Sequence, residues 1–162
     1  MAASDPTLAT FYGEWQRYHT HLREALAPLT DDQLALRAAP HLRTIGAIAE
    51  HIIEGRVSWL ADFTGDTTPA AEALNAWLAA PEAARDAATL LRQLDASWRL
   101  VSEALARWDD AAMLTTYPIE WRGDHYDLTR GWVVWHVLEH DLHHGGEVSL
   151  ILGMHGLPAP DV

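Results

Sequence analysis

Five of the ten histidines fall between His125 and His144, a density of imidazole side chains that suggests metal chemistry. His136, His140 and His144 are spaced four residues apart, so in an α-helix they lie on adjacent turns of one face. Two of these imidazoles could reach the same ion. The other positions on this side are mostly apolar, which indicates that the imidazoles emerge from a core-facing stripe. The spacing therefore predicts a candidate metal site that is buried or lies in a cleft.

A third imidazole could come from a different segment of the chain. His51 lies at the border of an apolar helical face, beside Ile48 and Ile52, from which it could point across a helical bundle. Three imidazoles suit Zn, Ni, Fe or Cu, and three protein ligands leave coordination positions open for water or substrate. A histidine on an apolar face is, however, often a hydrogen-bonded core residue. The residues alone leave both interpretations open.

Apolar residues recur at helical intervals in four long segments, which must position these histidines. These segments, and the lack of a clear strand pattern, predict an all-α fold: a four-helix bundle with a long crossover between helices 2 and 3. A chain of 162 residues is expected to form a single domain over residues 1–162. Gly55, on the apolar face of the second helix, would let a neighbouring helix or ligand approach closely. The predicted elements are a first helix from the N-cap Asp5 and Pro6 to Pro28, a short helical connector over 30–38, a second helix over about 44–63, a minor helix over 70–78 in the crossover, a third helix over about 81–108, an irregular segment or weak hairpin over 113–126, and a fourth helix from near Asp127 or Thr129 to Leu152.

Composition excludes several classes of function. The chain has no cysteine, which rules out disulfides, thiolate ligands and a cysteine nucleophile, so a thiol could enter only with a substrate. Eleven Lys and Arg against 23 Asp and Glu give a formal net charge of -12, which disfavours nucleic-acid binding. No apolar run is long enough for a membrane span, so a cytoplasmic location is expected. The eight tryptophans are interpreted as core residues.

Two motifs carry a resemblance to a known family. The segment Thr44-Ile-Gly-Ala-Ile-Ala-Glu-His51, followed by Trp135-His-Val-Leu-Glu-His140-Asp-Leu-His-His144-Gly-Gly-Glu147, resembles the DinB-like superfamily. This superfamily of four-helix bundles is related to the N-terminal domains of mycothiol-dependent maleylpyruvate isomerases. The resemblance covers most of the chain, including the connector Leu29-Thr-Asp-Asp-Gln-Leu34 before the second helix.

The resemblance implies a specific ligand set. In the family, one histidine of the second helix and an HxxxH pair of the fourth bind a divalent metal, which corresponds here to His51, His140 and His144. His136 and His143 are then non-ligands. Many members have an arginine directly after the last ligand, where this chain has glycine at position 145. That departure removes the support for any anionic group that such an arginine would hold.

The family resemblance also implies candidate functions. Related members are thiol-dependent transferases or isomerases, in which a metal, here expected to be Zn or Ni, binds the sulfur of an external low-molecular-weight thiol and lowers its pKa. A metal-water hydrolase acting on another small-molecule substrate is an alternative. Glu147, one turn beyond His144, could orient a ligand imidazole or act as a catalytic base on water. A non-catalytic, stress-related metal-binding protein is a further alternative.

The fourth helix has a second apolar side. Trp135, Leu138 and Leu142 lie opposite the proposed ligands, and a helix with two apolar sides must bury both. A homodimer would cover this surface, and we expect one. The alternative is that the crossover or the 113–126 segment covers it within one chain.

Overall fold

Four long helices form the framework in the part of the chain that the structure describes, residues 6–80 and 84–160 of a computed structural model. They pack as the predicted all-α bundle, which is confirmed, and the crossover between the second and third long helices carries a shorter helix. The elements are α1 (Pro6–Leu26), α2 (Asp31–Leu34), α3 (Ile45–Val57) with a π-helical continuation (Ser58–Phe63), α4 (Pro69–Leu78), α5 (Ala87–Arg107), α6 (Asp110–Met113), β1 (Thr116–Trp121), β2 (Asp124–Thr129) and α7 (Arg130–Met154).

Side-chain caps set where the long helices begin. The Thr44 hydroxyl accepts a hydrogen bond from the Ala47 amide at 3.1 Å and starts α3, and Thr129 caps α7 in the same way. Asp86 caps α5, so the third long helix begins later than its predicted start near residue 81. That predicted start and the predicted cap Asp5 lie outside the described residues. The first helix ends at Leu26, two residues before Pro28.

The segment before α7 is an antiparallel hairpin, the second of the two forms predicted for residues 113–126. Its two-residue turn consists of Arg122 and Gly123, which have φ of 56° and 89°. A turn with two positive φ angles matches the right-handed twist of paired strands, and glycine makes it accessible. Because β2 contains residue 127, the fourth long helix starts from Thr129, the later of its two predicted starts.

Helices α3 and α7 form the centre of the bundle. Ile45, Ile52 and Val57 of α3 and Val133 and Val137 of α7 are all fully buried. In both helices the buried residues recur at steps of three and four, which places them on one face toward the core. This pairing fixes the relative positions of the histidine-bearing helices.

A buried ion pair also joins α3 to α7. Arg56 and Asp141 are both 0% exposed, and Arg56 Nη2 donates to Asp141 Oδ2 at 2.8 Å. Trp15 Nε1 of α1 donates to the same carboxylate at 2.8 Å, and Arg56 Nη1 donates to Ser97 Oγ and Leu94 O of α5 at 3.1 and 3.3 Å. One ion pair therefore connects all four long helices.

Candidate metal centre

The three predicted ligands meet between α3 and α7, where the His140 ring lies against Gly55. A Cβ atom on Gly55 would lie 2.5 Å from Cε1 of His140, a distance that no real Cβ contact tolerates. The predicted close approach at Gly55 is confirmed, because only glycine leaves room there for the imidazole from the opposite helix. His51 lies one turn earlier on α3 and faces the same space.

The imidazoles of His51, His140 and His144 converge on one point. Their candidate ligand atoms all lie within 4.8 Å of one another, and the Nε2 atoms of His51 and His140 are 3.2 Å apart. Two nitrogens bound to one ion at about 2.0–2.1 Å are roughly 3 Å apart at tetrahedral or octahedral angles. The structure thus brings the predicted set together with a spacing that fits one divalent ion.

Two carboxylates orient two of these rings. Glu54 Oε2 lies 3.1 Å from Nδ1 of His51, and Glu147 Oε2 lies 2.7 Å from Nδ1 of His144. A carboxylate can only accept, so each Nδ1 carries the proton and each Nε2 keeps its lone pair. Such carboxylate–histidine pairs are typical of metal ligands, because they fix the tautomer and ring orientation.

Glu147 therefore makes the contact expected of a residue that orients a ligand. Its side chain remains 44% exposed, and its predicted role as a base stays a prediction. Glu54 was missed by the sequence analysis. Its signal was available, since Glu54 follows His51 by three residues, as Glu147 follows His144.

His140 differs from the other two because none of the described carboxylates lies within hydrogen-bond distance of its ring. Within residues 6–80 and 84–160, its Nδ1 is buried without a hydrogen-bond partner. Burial lowers the pKa of His140 to about 3, and the neighbouring His144, His51 and His136 add to the effect. Burial also lowers the pKa of His144 and outweighs the opposing influence of Glu147. Both rings are thus neutral near pH 7, the form that binds a metal.

The other two histidines of α7 occupy different surroundings. The His136 ring stacks on Trp132, with centroids 4.9 Å apart, and its centroid is 6.3 Å from that of His140. His143 is 67% exposed and lies within reach of His144 and Glu147, with its Nε2 3.9 Å from the carboxylate. The three-histidine cluster excludes both residues, in the arrangement that the family resemblance implies.

The glycine that replaces the family arginine has a packing role here. A Cβ atom at Gly145 would collide with the hydroxyl oxygen of Tyr18. Tyr18 of α1 fills this space, and its hydroxyl donates to Leu142 O at 3.4 Å. A larger residue at position 145 would have to displace the Tyr18 side chain.

A helical bundle in which two helices bring three imidazoles together is compatible with a divalent-metal-binding protein. The chain belongs to the DinB family, whose model matches residues 3–162. It is similar in fold to a DinB-like protein from Bacillus cereus, with 22% identity and a TM-score of 0.73 over 94% of this chain and 95% of that one. A conserved protein from Enterococcus faecalis is similar as well, with 16% identity and a TM-score of 0.71 over 93% of this chain and 99% of that one. None of the curated proteins matches the chain.

None of the helices that the structure describes combines the length and the hydropathy needed to cross a bilayer.

Proposed function

We propose that this DinB-family protein holds a divalent metal, Zn or Ni, through His51, His140 and His144. The protein is a thiol-dependent transferase or isomerase, which uses an external low-molecular-weight thiol to act on a small-molecule substrate. The convergence of three imidazoles, two of them oriented by carboxylates, carries the proposal. A divalent metal with three protein ligands supplies an open position that stabilises a thiolate, the nucleophilic form of the thiol.

The residues of the chain prepare this chemistry. Glu54 and Glu147 hold the Nδ1 protons of His51 and His144 and aim both Nε2 lone pairs at one point. Gly55 leaves space for His140. The absence of cysteine means that any reacting sulfur must come from outside, and a reducing cytoplasm, where we expect the protein, keeps such thiols reduced.

A cavity beside the cluster suits the polar end of a thiol. It has a volume of about 340 Å³ and is lined by His41, Arg43 and Glu147, together with apolar side chains. Because Glu147 also contacts His144, the cavity adjoins the proposed ligands. Arg43 would offer a cation to an anionic group, in place of the family arginine that position 145 lacks.

Two alternatives keep the same metal site. In a hydrolase, Glu147 would accept a proton from the attacking water, and its 44% exposed side chain permits that contact. In a non-catalytic protein the metal would have only a binding role. Addition of a thiol to the cobalt-loaded protein distinguishes the transferase from these alternatives. A change in the visible spectrum supports the transferase, and an unchanged spectrum favours the alternatives.

We also propose a homodimer that covers the outer side of α7. Trp135 is 58% exposed and Leu142 is 45% exposed, so neither of the expected intrachain covers buries them among the described residues. Phe11 of α1, 59% exposed, extends the same apolar surface. Light scattering after size exclusion tests this, and a monomeric mass at micromolar concentration would refute it.

The first experiment is elemental analysis of the purified, untagged protein. We expect near-stoichiometric metal in the wild type and its loss in a His140→Ala, His144→Ala double variant. His143→Ala is the matched control, because it removes an adjacent exposed imidazole outside the cluster. A wild type that binds neither Zn nor Ni after reconstitution, or equal loss in the control, would contradict the proposal.

A further inference from the structure

A second cavity lies beside the histidine cluster, between the hairpin, the π-helical segment and the start of α7. Its volume is about 460 Å³, within the range of small-molecule sites. Its walls are the aromatic side chains of Trp59, Trp121, Tyr126 and Trp132, two aliphatic side chains of the hairpin, and His136. The sequence predicts these tryptophans to be core residues, and their helical spacing indicates no binding role.

The inner wall is a set of mutually packed rings. Trp132 and His136 are nearly parallel, at an interplanar angle of 10° and a centroid distance of 4.9 Å. Trp59 packs edge-on against both, at 5.7 and 4.6 Å. Stacked and edge-on pairs at these distances are the favourable aromatic geometries. The rings therefore support one another and form a rigid apolar wall.

The outer wall is exposed. Trp121 is 61% exposed and Tyr126 is 47% exposed, both on the hairpin. Large aromatic side chains that project from a hairpin over a cavity gain stability when a ligand covers them, since that removes their apolar area from water.

The lack of charged side chains among the described lining residues indicates which class of ligand the cavity would bind. None of the described residues that line the cavity is an Asp, Glu, Lys or Arg, so an ion would find no opposite charge there. An aromatic cage can also hold a cation, but the proposed divalent metal nearby would repel one. The lining therefore favours a neutral, planar ring.

His136 connects this cavity to the histidine cluster. Its ring is part of the cavity wall, and its centroid lies 6.3 Å from that of His140, one helical turn away. Beyond the aromatic contacts, its Nδ1 approaches Glu139 at 3.6 Å, and its Nε2 has no hydrogen-bond partner among the described residues. A ligand whose ring lies in the cavity could reach past His136 to the cluster through a link of a few bonds.

We infer that this aromatic cavity binds a neutral aromatic ring of the substrate that reacts at the three-histidine site. That the ligand is a substrate rests on the proposed function. The affinity of the cavity for an aromatic ring does not depend on it. The thiol would enter from the side of Glu147, and the aromatic substrate from the side of His136.

The test is calorimetric titration of the metal-free protein with 2-naphthol, a neutral bicyclic probe. We expect saturable binding that Trp121→Ala weakens about tenfold, the size of effect expected for loss of a stacking partner and its apolar area. Trp135→Ala is the matched control, because Trp135 is equally exposed, at 58% against 61%, but lies outside this cavity. Tyr126→Ala is a second variant on the hairpin, expected to weaken binding as well.

Several outcomes would overturn the inference. These are failure of the wild type to bind 2-naphthol up to its solubility limit, equal affinity of the Trp121→Ala protein, or, in the metal-loaded protein, tighter binding of tetramethylammonium than of 2-naphthol. A dimer that becomes monomeric in the Trp121→Ala protein would also overturn it, because the hairpin would then be an interface between copies.

Two further measurements separate this inference from the proposed metal site. The His140→Ala, His144→Ala variant should still bind 2-naphthol, because it keeps the cavity, so loss of metal and loss of ring binding can be scored independently. In the cobalt-loaded wild type, phenylmethanethiol should change the visible spectrum at about tenfold lower concentration than 2-mercaptoethanol. That advantage should disappear with Trp121→Ala, and its persistence would contradict a connection between the two sites.

Discussion

The same two helices bury two polar clusters side by side, and the clusters differ in whether their polar groups are satisfied. Gly55 and Arg56 are consecutive on α3, as His140 and Asp141 are on α7. Arg56 and Asp141 neutralise each other and have hydrogen-bond partners from α1 and α5. One position away, the ring of His140 converges on one point with two imidazoles that carboxylates orient, and its own Nδ1 has no hydrogen-bond partner among the described residues.

This difference separates a structural role from a functional one. A buried ion pair is stable only when every charge is matched, and it leaves no capacity for a ligand. Neutral imidazoles cost less to bury and retain lone pairs that a cation can use. The fold therefore uses the Arg56–Asp141 pair to fix α3 against α7, and the position so fixed holds the histidines within reach of one ion.

The largest expected effect on stability comes from the cluster around Arg56 and Asp141, in which every charge is matched. Asp141→Asn keeps the side-chain shape but leaves Arg56 as an uncompensated buried charge, so we expect a loss of about 3–5 kcal/mol in the free energy of unfolding. Urea denaturation measures it. Asp95→Asn is the control: Asp95 pairs with the partly exposed Arg23, and its loss should cost no more than about 1 kcal/mol. Similar losses in the two variants would show that the buried pair contributes no more to the free energy of unfolding than the partly exposed pair does.

The second largest effect on stability is expected from metal binding to the cluster of His51, His140 and His144. Zn or Ni at a hundredfold excess over its dissociation constant should raise the free energy of unfolding by about 2.7 kcal/mol, because the metal binds only the folded arrangement. Chemical denaturation with metal and with chelator measures this difference. The His140→Ala, His144→Ala variant should show no such gain, and a gain of wild-type size there would place the metal elsewhere.

Gly55→Ala tests the close contact between Gly55 of α3 and the His140 ring of α7. The new methyl group would meet the His140 ring at 2.5 Å, so either the ring or the helix must move. We expect a loss of about 1–3 kcal/mol in the free energy of unfolding, together with weaker metal binding. Gly146→Ala is the control on α7, where an added Cβ meets nothing within 4 Å. It should stabilise the protein by roughly 0.5–1 kcal/mol. Unchanged metal affinity in Gly55→Ala would mean that the cluster tolerates a displaced His140.

The sequence predicted the helical bundle and the three histidines that the structure brings together, whose metal binding stays a prediction. Apolar periodicity is strong in long amphipathic helices, and the order of the family motifs selected His51, His140 and His144 from ten histidines. Boundaries were less accurate where a cap residue decided them, as Asp86 did for α5. The hairpin stayed ambiguous because its strands alternate weakly and its turn is Arg-Gly rather than Asn-Gly.

Groups whose role depends on contacts between elements could not be predicted from the sequence. Arg56 and Asp141 look like ordinary surface charges until α3 and α7 face each other. The aromatic cavity needs Trp121 from the hairpin and Trp59 from the π-helical segment, which are distant in sequence. Side-chain periodicity within one element carries no information on such pairings.

The smallest effect concerns His19, which lies at the edge of the satisfied cluster. Burial lowers the pKa of His19 to about 3, and the positive charges of Arg56 and Arg23 add to the effect. The unfolded chain binds this proton near pH 6.5 and the folded one does not, so stability should fall as the pH decreases from about 6.5 toward 3. One such proton contributes at most about 1.4 kcal/mol per pH unit.

His19→Gln should therefore reduce the acid sensitivity of the metal-free protein. Urea denaturation at several pH values between about 6 and 5, above most carboxylate titrations, gives the slope. A merely structural role for His19 would lower stability equally at each pH and leave the slope unchanged. His140→Ala is the companion variant, because the pKa of His140 is lowered to about 3 as well, and it should reduce the slope similarly.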